Sequence, residues 1–149
     1  MHINKKEDQQ SYLIRKWSRG CLIWIQTFGD KQDQSELINV GYGRIVIIFI
    51  SSAGGTEEQG DVEIYWVLQY IYRFLNELNN GRNNSNNINN QPSFIPQPAL
   101  SKICIEQMEE EGGNEEVESQ LINKGNVWKI IGDAEEVKGL ILNRFIHNN

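Results

Sequence analysis

Arg44-Ile45-Val46-Ile47-Ile48-Phe49-Ile50 is the stretch on which the fold turns. Six apolar side chains follow the arginine without alternation, so both faces of the segment are expected to be covered, and its β-branched and aromatic content suits a central strand. Working outward, residues 12–17, 21–28 and 36–40 are also rich in Ile, Val, Leu, Trp, Tyr or Phe and are bounded by Gly, Asp, Ser or Asn. They read as further strands. Residues 29–35 read as a hairpin loop, and Gly41-Tyr42-Gly43 as a tight connection that needs backbone freedom.

Past residue 60 the period changes. Ile64, Val67, Leu68, Ile71, Phe74, Leu75 and Leu78 recur at three- and four-residue steps, which predicts an amphipathic helix over residues 61–78 with Asp61 and Glu63 at its positive end. Residues 79–91 hold eight asparagines and read as a polar surface loop. Strand pieces are expected at Phe94-Ile95 and Ile103-Cys104-Ile105, interrupted by Pro96 and Pro98. An acidic insertion spans residues 106–119, a strand is expected over 127–131, and a last helix over 134–146 with Asp133 as its cap. The expected fold class is α/β (α+β): a small antiparallel or mixed sheet with two helices. The expected organisation is a polar tail over residues 1–11 and one domain over 12–147, whose core joins Ile45, Ile47 and Phe49 to Leu68, Ile71 and Leu75.

The 149 residues allow one domain of ordinary size. A net charge of −6 argues against tight, sequence-independent nucleic-acid binding, which rests on a basic face. Cys21 and Cys104 have no metal-ligand spacing and sit in apolar runs, so they read as buried free thiols of a reducing compartment. The two histidines, His2 and His147, lie near the termini, which leaves no interior imidazole to serve as the base of a triad. No metal and no cofactor is expected. The longest apolar run is far too short to span a bilayer, and the polar start lacks a secretory leader's apolar stretch. A cytoplasmic location without membrane contact is expected.

The order and spacing of several segments resemble the D-aminoacyl-tRNA deacylase family, and most closely its relative that clears alanine mischarged onto threonine tRNA. Leu13-Ile14-Arg15-Lys16-Trp17, Cys21-Leu22-Ile23-Trp24-Ile25, Asn39-Val40-Gly41-Tyr42-Gly43 and the apolar run to Ile50 stand where that family has its first strands. Gly55-Thr56-Glu57-Glu58 resembles its acidic loop, Asn79-Asn80-Gly81-Arg82 its Asn-Gly-basic turn, and Pro96-Gln97-Pro98-Ala99-Leu100 its Pro-Gln-x-Thr-Leu site motif. The segment from Asp133-Ala134-Glu135-Glu136 to Phe145-Ile146 is similar to its second helix.

The resemblance implies trans-editing hydrolysis of the ester in D- or mischarged aminoacyl-tRNA, by a cytoplasmic homodimer that meets the tRNA 3′ end transiently. It implies that Gln97 and the backbone of Ala99 and Leu100 form a catalytic half-site, with Pro96, Pro98 and Lys16 as substrate-binding residues. Two departures point to a degenerate relative: Ala99 stands in place of threonine, and no Gly-Pro pair is present to enter a partner's pocket. Two alternatives stay open. One is a non-catalytic binding or assembly protein of the same fold. The other is an OB-like nucleic-acid-binding subunit that stacks bases on Trp17, Trp24 or Tyr42.

Overall fold

The computed structural model describes residues 2–53, 57–83, 90–122, 132 and 135–140. Six helices follow one another: α1 (His2–Phe28), α2 (Lys31–Asn39), α3 (Tyr42–Ala53), α4 (Glu57–Asn80), α5 (Pro98–Glu110) and α6 (Gly113–Ile122). Residues 135–140 are helical as well. No strand occurs among the described residues, where Arg82 and Phe94 form an isolated antiparallel bridge.

The expected sheet is therefore corrected to an all-helical fold. Residues 12–17 and 21–28 belong to α1, 36–40 to α2 and its cap, 44–50 to α3, and 103–105 to α5. The reason is plainest in α3. An apolar run buried on most sides looks alike as strand or helix, because neither period shows. β-Branched residues lose at most about 0.7 kcal/mol each in a helix, whereas burying one gains about 1.5–3 kcal/mol. Tyr42, Val46, Ile47 and Ile50 are buried in α3, and Ile45 and Phe49 are half-buried. The expected strand over 127–131 lies outside the described residues. Of the last helix, 135–140 are described, and its cap Asp133 and its end are not.

α3 is the centre of the molecule and packs against α2, α4, α5 and α6. The helix expected over residues 61–78 is present within α4, and all seven of its stripe residues are buried. Tyr42 meets the Phe74 ring edge-on at 5.0 Å. Ser101, Cys104, Ile105 and Met108 form the buried stripe of α5, again at helical steps.

The expected hairpin loop over 29–35 is instead a turn of two residues followed by a helix. Asp30 caps α2: its carboxylate accepts from the Asp33 backbone N–H at 3.0 Å, and the Asp33 carboxylate accepts from the Asp30 N–H at 2.8 Å. Gly41 has φ +87°, a conformation that favours glycine, and its carbonyl accepts the Ile45 N–H that begins α3. Gly43 is needed for a different reason. A Cβ there would collide with the Cys104 carbonyl on α5, and the space is used by Gln107, which accepts from Gly43 N–H at 3.1 Å and donates to the Ile38 carbonyl at 2.8 Å. One side chain thus serves the open end of α2 and the open start of α3.

Candidate functional site

α1 has two apolar sides. Leu22 and Ile23 turn inward beside the buried Gln26, whose amide donates to the Tyr70 carbonyl at 3.0 Å and accepts from the Tyr42 hydroxyl. Arg19 ties the same side to α4 through Glu63 at 3.1 Å. Ile14, Trp17, Cys21, Trp24 and Phe28 lie on the other side, spaced three, four, three and four residues apart, and all five are exposed. That is the three- and four-residue spacing of a coiled-coil seam. Every described side chain from Asn4 to Ser18 is exposed, and the first half of α1 touches the body through the Tyr12 hydroxyl, which donates to the Glu63 carboxylate of α4 at 3.5 Å.

Where α1 meets α2 the stripe opens into a groove of about 450 Å³, lined by Leu22, Trp24, Phe28, Leu37 and Val40, with Asp33 and Glu36 among its walls. Trp24 and Phe28 pack ring to ring at 4.3 Å. Beside the groove, Arg82 holds the end of α1. This buried guanidinium donates to the carbonyls of Gln26 at 2.8 Å and Gly29 at 3.0 Å, and to the Glu77 carboxylate at 2.7 Å. Its charge centre lies 4.8 Å from the Phe94 ring. The buried Gln34 amide donates to the same two carbonyls, at 3.0 and 3.1 Å. The carbonyls of Gln26 in the last turn of α1 and of Gly29 just beyond it thus receive a cation and an amide. Asn80-Gly81-Arg82 ends α4 with Gly81 at φ +80° and delivers this cation; residues 84–89 of the asparagine-rich segment lie outside the described residues.

The residues expected at a catalytic half-site lie elsewhere. Pro96 and Pro98 are exposed, and Pro98, Ala99 and Leu100 open α5, so the backbone N–H groups of Ala99 and Leu100 belong to a helix start rather than to a strand end. Gln97 precedes them without capping them. Its side-chain amide donates to the Ile95 carbonyl at 3.0 Å, and its backbone N–H donates to the Leu78 carbonyl at 2.6 Å. Lys16 is exposed on α1, a helix that packs on α2 rather than on α5. The structure keeps Pro96 to Leu100 together and leaves Lys16 apart from them.

Both cysteines were expected to be buried, and only Cys104 is. Burial pushes its thiol up to about 12, which leaves it protonated and unreactive at neutral pH, whereas Cys21 is exposed in the α1 stripe. Burial likewise raises Tyr42. No group of three or more His, Cys, Asp or Glu is placed to hold a metal among the described residues, and none of their helices is long and apolar enough to cross a membrane. Dividing residues 12–17 and 21–28 into two strands hides the exposed stripe. The three-four spacing from Ile14 to Phe28, continuous through Gly20, is the signal that joins them. Comparison with protein-family models, curated proteins and solved structures finds no match for this chain.

Proposed function

We propose that this chain is a non-catalytic assembly protein whose α1–α2 face binds an amphipathic helix with basic flanks. One observation carries the reading: the seam-spaced stripe of α1 is exposed and runs into an apolar groove with Asp33 and Glu36 in its walls. Helix-in-groove recognition needs these parts, a row of anchors at three- and four-residue steps and charges beside them to choose the partner. The deacylase reading depends on a sheet that the described residues do not form, and the assembly reading takes its place. An exposed free thiol at Cys21 fits a reducing compartment such as the cytoplasm.

The test uses two labelled synthetic helices with the same isoleucine and leucine seam, one flanked by lysines and one by glutamates. Saturable binding of the lysine-flanked helix, weakened by Val40→Asp and Glu36→Lys, is the expected result. Equal binding of both helices overturns the reading. So does hydrolysis of mischarged aminoacyl-tRNA by the purified chain that Gln97→Ala abolishes.

A further inference from the structure

We infer that the helix received by this face is α1 of a second copy, laid antiparallel across it with Cys21 on the two-fold axis. This rests on the docking-face reading above and adds the identity and register of the partner.

Three observations converge. The first is the symmetry of the stripe. In an antiparallel pair centred near Cys21, Ile14 of one copy faces Phe28 of the other, and Trp17 faces Trp24. An isologous contact requires such self-matching. The centre is narrow: Ser18, Gly20 and Cys21 are small, and a Cβ built on Gly20 would meet nothing within 4 Å. Two helix axes can approach closely there while the tryptophans flank the crossing.

The second is charge. α1 carries five basic and two acidic side chains, whereas the whole chain is −6, so the rest of the chain is strongly acidic. Arg15 stands one heptad before Leu22 and two before Gly29, both of which line the groove, so Arg15 and α2 lie on the same side of the stripe. When two such helices pair antiparallel, like sides meet. The Arg15 of each copy then comes beside Asp33 and Glu36 of the other, while a parallel pair would carry each Arg15 away from the other copy's α2.

The third is area. Trp17 is 72% exposed, Trp24 66%, Ile14 66% and Val40 67%, with Leu13, Ile25 and Phe28 less so. Side chains of this size present an apolar patch on the order of 800 Å², the share that one partner of a standard interface buries. Monomers rarely leave a patch of about 600 Å² or more uncovered.

Sedimentation of the full chain is expected to give a dimer, and Trp24→Asp to raise its dissociation constant about 100-fold or more, as for a central aromatic anchor. Far-UV dichroism checks that this variant keeps its helices, and Trp17→Ala serves as a milder second variant. In the Cys21→Ser background, Ile14→Cys and Phe28→Cys chains joined by a short bismaleimide are expected to cross-link when mixed and to fail when Ile14→Cys is used alone. Arg15→Glu weakens the dimer, and adding Glu36→Arg to the same chain restores it. Cross-linking of Ile14→Cys to itself overturns the antiparallel register. A chain that stays monomeric at high micromolar concentration overturns self-assembly, and the synthetic helices then decide whether the face docks another protein. A monomer whose tryptophan emission shifts to the blue on phosphatidylserine vesicles, but not with the synthetic helices, overturns both readings in favour of a lipid surface.

Discussion

α3 and residues 12–28 of α1 are both apolar-rich, and their fates differ. In α3 the apolar residues are wrapped by four neighbouring helices, and Ile47 and Ile50 are buried. In α1 the row from Ile14 to Trp24 faces solvent. Composition does not separate the two; arrangement does. α3 carries apolar groups around most of its circumference, as a helix inside a bundle must, whereas α1 confines its outward ones to a seam at three- and four-residue steps with Arg15, Lys16 and Arg19 between them.

The comparison breaks first at Arg82, which fixes the half of α1 that is anchored. Arg82→Ala takes the buried cation from the Gln26 and Gly29 carbonyls, which keep the Gln34 amide, and leaves the Glu77 carboxylate with Arg73 alone at 3.2 Å, and removal of one partner from a buried ion pair costs about 3–5 kcal/mol. Urea unfolding should show that loss, together with faster exchange of the amides at the start of α2. An unchanged midpoint would mean that the guanidinium does not fix the end of α1.

Next comes the core itself. Ile47→Ala and Leu68→Ala remove buried aliphatic groups from α3 and α4, and each is expected to destabilise by about 2–5 kcal/mol. Losses below about 0.5 kcal/mol at both positions would place the core elsewhere.

A smaller effect separates the two cysteines. The Cys104 thiol, pushed up to about 12 by burial, stays protonated in the folded chain, while an unfolded chain ionises it near pH 8.5. Between those values the unfolded state holds fewer protons. Stability is therefore complete below about pH 8.5 and falls as pH rises toward about 12, by about 1.4 kcal/mol per unit. The raised Tyr42 adds to the fall in the same direction. Urea midpoints measured at pH 8 and pH 10 should show the slope, and Cys104→Ala should flatten part of it. A maleimide at neutral pH should label Cys21 and spare Cys104, because one is exposed and the other buried.

How much of this was legible in the sequence depended on whether a period was visible. α4 was readable because its apolar positions leave polar ones between them, and the conformation of Gly41 was readable from the chemistry of a turn. α3 was not, since a segment covered on most sides shows no period and β-branched residues weigh the choice toward a strand. α5 carried a readable stripe in Ser101, Cys104, Ile105 and Met108, but Pro96 and Pro98 drew attention to an interrupted strand, when a proline at the first turn is also how a helix starts. The groove was illegible for another reason. Its walls come from two helices, and the end of α1 beside it is held by Arg82, more than fifty residues along the chain from Gln26 and Gly29, so no local pattern announces that pairing.

The smallest expected effect is the one that tells the two helices apart most cleanly. Trp17 is a large apolar residue, and at a core position its removal would cost about 3–5 kcal/mol. On the exposed stripe it touches little within its own chain, so Trp17→Ala should change the unfolding free energy of the dilute monomer by no more than about 0.5 kcal/mol. Dilution matters, because a residue that is idle in the monomer becomes an anchor once a second copy covers it, and stability linked to association grows with protein concentration. Hydrogen exchange gives the same contrast within one molecule. Amides of residues 4–18 should exchange close to the rate of an isolated helix at low concentration, since a helix of that length without packing is marginal in water, while those of α3 exchange only through global opening. Raising the concentration should protect residues 4–18 in the parent chain and not in Trp24→Asp. Protection of these amides equal to that of α3 in the dilute monomer would show that the body of the chain, and not a partner, covers the first half of α1.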